Sequence, residues 1–177
     1  MTGSLVWIDL EMTGLDPEQH VIVEIATIIT DPDLHVIEEG PHIVVHHSED
    51  VLDRMDDWSR NHHRDSGLLD KVRASNDDCA QAEERTLSFI SKYCQKGESP
   101  LCGNSVWQDR RFLTKYMPQL ESFLHYRIID VSTVKELVKR WYPDLPRFKK
   151  QKLHLALDDI HESIGEWRYY RETVFKN

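Results

Sequence analysis

The sequence predicts an α/β fold, a mixed β-sheet flanked by α-helices, and two patterns predict it. Early in the chain, three strand-like runs follow one another with only tight turns between them, which reads as a three-strand antiparallel meander. After it, helical periodicity alternates with short apolar strands, the arrangement that gives a mixed sheet covered by helices. A length of 177 residues suits one domain, spanning 1–177, with a substantial core.

The first strand lies in residues 5–14, Leu-Val-Trp-Ile-Asp-Leu-Glu-Met-Thr-Gly. Leu15-Asp16-Pro17 makes a turn, and residues 21–30 form a second strand, apolar except at Glu24. Asp31-Pro32-Asp33 turns the chain again, and a third strand runs from Leu34 to Glu38 and on through Ile43, Val44 and Val45. Residues 49–59 are acidic and helical in part, 58–63 read as irregular, and Ser66-Gly67 is a break. Asn76-Asp77-Asp78 offers N-caps for a helix over 79–94 with Cys79, Ala82, Leu87, Ile90 and Cys94 at helical spacing. Leu101 to Asn104 is a short strand leading into a helix that carries Asp109, Phe112, Leu113 and Tyr116. Pro118 opens a short helix, and 127–131 read as a strand. Thr133 and Glu136 have capping-box spacing at the start of a helix ending near Trp141, before Pro143 and Pro146. The last helix sets Leu157, Ile160, Ile164 and Trp167 on one face.

The formal net charge is −9, so the chain lacks the basic stripe that holds long nucleic acids. A nucleic-acid substrate should therefore be short, with metal ions carrying much of the phosphate contact. Three cysteines, Cys79, Cys94 and Cys102, make no Cys-x-x-Cys pair and suit reduced thiols in a cytoplasmic compartment. No apolar stretch approaches a membrane span, and no signal peptide precedes the first strand.

Asp9 and Glu11 are two apart on a strand and share a face, while Val6, Ile8 and Leu10 share the other. Neighbouring like charges are costly to bury unless compensated, and hard divalent cations are natural partners for carboxylate oxygens. Asp109 follows a strand on the first turn of a helix, and Asp159 stands near the start of the last helix, five residues after His154. Four carboxylates with a nearby imidazole supply the parts for two-metal phosphodiester hydrolysis, with His154 able to take a proton from water.

Several segments carry a closer resemblance: residues 6–16, Gly103-Asn104-Ser105, Asp109 to Leu113, Tyr126-Arg127, Asp130 to Leu137 and Ala156 to Ile160. Together they resemble the oligoribonuclease family of DEDDh-type 3′-to-5′ exonucleases. The resemblance runs from about Leu5 into the last helix and implies a ribonuclease-H-like fold. It implies that Asp9, Glu11, Asp109 and Asp159 hold two Mg²⁺ or Mn²⁺ ions, with His154 as general base. It further implies that Leu15 wedges between two bases and that Trp58 and His63 line the base and phosphate pocket. Ser105, Arg127, Ser132 and Thr133 would hold the terminal phosphate, and Tyr126 and Arg127 would come from the partner of a homodimer. Its substrates would be short RNA oligonucleotides, especially dinucleotides, with neither membranes nor long duplexes among its partners.

Other features carry less. His46-His47 and His62-His63 suggest zinc, but adjacent residues on an extended chain point apart and no thiolates support them. The basic run Arg147, Lys149, Lys150 and Lys152 reads as a solvated loop beside His154. Two alternatives stay open: a DNA-directed exonuclease of the same type, and a binding protein that keeps the fold without chemistry. Four acids with a histidine argue against the second.

Overall fold

Strands β1 (Leu5–Met12), β2 (Ile22–Thr30) and β3 (Val36–Val44) form the expected meander in the computed structural model, which describes residues 3–149 and 156–175. Two further strands, β4 (Pro100–Gly103) and β5 (His125–Asp130), extend the sheet to the order β3-β2-β1-β4-β5. β1 pairs antiparallel with β2 and parallel with β4, and β4 pairs parallel with β5. β1 is thus the central strand, where pairing changes from antiparallel to parallel.

Alternation along β1 feeds two cores. Val6, Ile8 and Leu10 pack with Phe112 and Leu113 of α5 (Trp107–Tyr116), Leu120 of α6 (Pro118–Phe123), and Ala82 and Ile90 of α4 (Cys79–Ile90). Trp7, on the opposite face, packs with Val131 and Val138 of α7 (Val131–Trp141) and with Ile160 and Ile164 of α8 (Ala156–Thr173). Both faces of the sheet are therefore covered, and all nine residues of β2 are buried. A smaller cluster joins Val23 to Leu52 of α1 (Glu49–Leu52) and to Leu68, Leu69 and Val72 of α3 (Leu68–Ala74).

Three expectations are corrected. Residues 58–63 are not irregular: they lie in helix α2, Asp57–Asp65. The Asp56 side chain caps it, accepting the Ser59 N–H at 2.7 Å, and Ser59 and His63 turn inward one helical turn apart. Nor does Thr133 cap α7. That cap is Asp130, whose Oδ1 accepts the Ser132 N–H at 2.9 Å, so the helix begins three residues earlier. α4 also ends at Ile90, with turns rather than helix reaching Cys94.

Candidate active site

The pleat puts Asp9 and Glu11 on the α8 side of β1, and α8 brings Asp159 to them in its first turn. One carboxylate oxygen each from Asp9, Glu11 and Asp159 lies within 4.8 Å of the other two. Asp109 arrives from the other layer, on the first turn of α5, and its Oδ1 accepts the Leu10 N–H at 3.0 Å. The turn from β4 into α5 is close-packed: a Cβ on Gly103 would stand 3.2 Å from the Ile8 carbonyl oxygen. A register shift between Glu11 and Met12 ends regular β1–β2 pairing beside the cluster, as bulges near functional sites do.

The electrostatics are those of crowded anions. Loss of water and then the charges of Asp109, Glu11 and Asp159 hold the Asp9 carboxyl well above its usual range. Burial, then Glu24, Asp159 and Asp109, push Glu11 up to about 8. Burial also lifts Asp109 to about 7, against the hydrogen bond from Leu10. A divalent cation would relieve all three, and hard carboxylate oxygens are its proper donors.

Glu24 has a part that the sequence reading did not give it. It is 1% exposed and sits opposite Glu11 in the β1–β2 register. Its Oε1 lies 2.7 Å from His42 Nε2, and its Oε2 accepts the Ala156 N–H at 3.4 Å, at the start of the helix that delivers Asp159. The signal was a lone acid inside an otherwise apolar strand.

Around the acids, the other expected residues fall into three groups. Leu15 is 68% exposed on a loop tied to α5, where the Gln108 and Arg111 side chains donate to its carbonyl. A Cβ on Gly14 before it would stand 2.6 Å from Asp56 Oδ2 and from the His20 ring, so those side chains would have to shift to admit one. Trp58 is exposed and stacks on His62, with ring centroids 4.9 Å apart, while His63 is buried and its Nε2–H donates to the Met12 carbonyl at 2.8 Å. Burial lowers the His63 pKa.

The second group forms a polar corner at the start of α7. Asp130 Oδ1 accepts both the Ser105 N–H, at 3.0 Å, and the Ser132 N–H. The Ser105 and Ser132 hydroxyls meet at 3.0 Å, and Ser132 also donates to Asn104 Oδ1. Ser105 sits at φ +54°, a left-handed conformation that a non-glycine residue adopts at some cost. Thr133 is exposed one residue further along the helix. The third group, Tyr126 and Arg127, stands exposed on edge strand β5, with Tyr126 stacked on His125 and Arg127 lying 5.1 Å over the Tyr126 ring. His154, expected as the base, lies outside the described residues, as do Lys150 and Lys152.

Known proteins resemble the chain in both sequence and fold. The RNase T exonuclease family matches residues 6–166. Exonuclease I of Methylocaldum szegediense superposes with a TM-score of 0.74 at 18% identity, over 98% of this chain and 41% of that one. E. coli exonuclease I in complex with an oligonucleotide gives the same TM-score, over 42% of its chain, so this chain spans about two fifths of either and shares their ribonuclease-H-like fold. The oligoribonuclease of Shewanella baltica is 58% identical over 98% of this chain and 97% of its own length. That of Shewanella loihica is 59% identical over 98% and 96%. An exonuclease fold with this identity over nearly the whole length of both partners leaves one assignment: the chain belongs to the oligoribonuclease family.

Proposed function

We propose that this chain removes mononucleotides from the 3′ end of short RNA, with the phosphorylated dinucleotide as its best substrate. The convergence of Asp9, Glu11 and Asp159 carries this reading, with Asp109 locked beside them by its bond to Leu10. Three carboxyls held above their usual range fit a site built for cations rather than for solvent. Two Mg²⁺ or Mn²⁺ ions would be held by these four acids. When bound, such ions polarise the scissile phosphate, activate water and stabilise charge on the leaving oxygen.

The chain's own residues supply the rest. His154 takes the proton from the attacking water. Leu15, projecting from its tethered loop, separates the two bases, and Trp58 offers a face for stacking. His63, fixed by its bond to Met12, lines the pocket beside Glu11. The start of α7, with the Ser105 and Ser132 hydroxyls and Thr133, suits a terminal phosphate, because backbone N–H groups and the helix dipole favour an anion. Arg127 and Tyr126 close that corner from a second subunit, making the working form a homodimer. A net charge of −9 gives a longer strand little to hold it beyond the cap. We place this activity in the cytoplasm, in keeping with three free cysteines.

The test is a rate series on RNAs of about two to seven nucleotides, with and without the 5′-phosphate and with deoxy counterparts, in Mg²⁺ and Mn²⁺. The expected result is a steep preference for the phosphorylated ribodinucleotide. Equal rates at every length and phosphorylation state would refute the capped pocket, and faster deoxy hydrolysis would move the enzyme to DNA.

A further inference from the structure

His62 and His63 lie on helix α2 and not on an extended chain, so their side chains need not point apart. Neighbours on a helix are about 100° apart rather than opposed. The two imidazole rings meet edge to face at 5.6 Å. One ligand atom each from Glu11, His62 and His63 lies within 4.8 Å of the other two.

A separate observation points to a ligand. The Met12 carbonyl can only accept, so its partner Nε2 carries the His63 proton and Nδ1 is left with a lone pair. His63 is 1% exposed, and Nδ1 is buried without a hydrogen-bond partner. It faces Glu11 Oε2 at 3.9 Å, too far for a bond between the two. A ring anchored through one N–H to a backbone carbonyl, with the other nitrogen turned inward, is the arrangement that metal-binding histidines take. With ligand bonds of about 2.0–2.1 Å, a cation between Nδ1 and Oε2 needs these atoms to close only slightly. His62, half-buried, supplies the second nitrogen.

We infer that Glu11, His62 and His63 form a transition-metal site, fitted best by Zn²⁺, which shares Glu11 with the catalytic cluster and so inhibits the enzyme. Two imidazoles and a carboxylate favour zinc over magnesium, which keeps to oxygen. The two kinds of ion therefore compete for one carboxylate while differing in their remaining ligands. Zinc in this position also fills the space between Trp58 and the acids, where the proposed function seats the substrate. The inhibition rests on that proposal; the binding site does not.

The probe is Zn²⁺ itself, added to the full chain with excess Mg²⁺. Competition with a chromogenic chelator gives stoichiometry and affinity, X-ray absorption at the zinc edge gives the ligands, and hydrolysis gives zinc sensitivity relative to each variant's own zinc-free rate. The wild type should bind one zinc with two imidazoles in its shell. His62→Ala and His62→Gln, two changes on a half-buried position, should each weaken binding and zinc sensitivity by at least about tenfold. Unchanged zinc affinity in both variants, or a shell of oxygens alone, overturns the site. Imidazole-bound zinc with undiminished hydrolysis overturns the inhibition. Absence of hydrolysis without zinc counts against the proposed function and leaves the binding result standing.

Discussion

Glu11 shows how one side chain ties stability to function. Its carboxyl ordinarily titrates at 4.5 and here is raised to about 8, by burial first and then by Glu24. A group raised in this way binds more protons folded than unfolded. Its contribution to stability is full below its unfolded value and is lost as pH rises through the folded one. Asp109, raised to about 7, acts in the same direction. The metal-free protein should therefore melt at progressively lower temperature between about pH 5 and pH 8, and millimolar Mg²⁺ should flatten the decline. Calorimetry across that range checks it, and a flat metal-free profile would remove the carboxylate cluster as its cause. His154→Ala should keep this metal-dependent stabilisation while slowing turnover by roughly 10²–10⁴-fold. If metal affinity falls instead and turnover survives at saturating metal, His154 is a ligand. In the wild type, activity should decline on the acid side as the imidazole protonates.

At the scale of elements, the caps do double duty. Asp130 ends β5, caps α7 and draws the Ser105 and Ser132 backbones to one oxygen. Asp130→Ala should cost about 0.5–2 kcal/mol as a lost cap. It should also erase most of the preference for 5′-phosphorylated substrate, through KM more than kcat. Rates on matched dinucleotides with and without the phosphate measure that, and a preserved ratio would make Asp130 a cap and nothing more. The same residue shows where the sequence was hard to read. Thr133 and Glu136 have the spacing of a capping box, but Asp130 reaches the first free N–H groups from the strand end and so begins the helix earlier. α2 was hidden for a related reason: its residues, from Asp57 through His63 to Asp65, are nearly all polar and show no apolar stripe, because the inward positions are Ser59 and His63. The meander, by contrast, was plain in β2 and its bounding turns, since a strand buried along its length must read as a continuous apolar run. Of the acids, Asp9 and Glu11 could be paired from alternation alone. The approach of Asp159 required knowing that α8 covers the face carrying Trp7.

For the molecule as a whole, Tyr126 and Arg127 stand on the edge strand of the sheet, while Asp9 and Glu11 belong to its central strand. If a partner completes each site, two defective variants should repair one another. Arg127→Ala and Asp9→Ala should each be nearly inactive as homodimers. Mixed and re-equilibrated, they should recover about a quarter of wild-type activity, since half the dimers are hybrids and each hybrid holds one intact site. No recovery from a mixture shown by mass to contain hybrids would make each subunit self-sufficient.

The bond from the Ala156 N–H to Glu24 joins positions 132 residues apart. It sets a schedule for the molecule's own synthesis. A ribosome adding about 5–20 residues per second delivers β1 and its two acids many seconds before α8 emerges. Throughout that interval Asp9 and Glu11 have no Asp159, and the start of α8 has no place at Glu24 to dock. Pairings so distant in sequence are also slow to form. The carboxylate cluster is thus among the last features of the fold to assemble, because its third acid arrives only with α8.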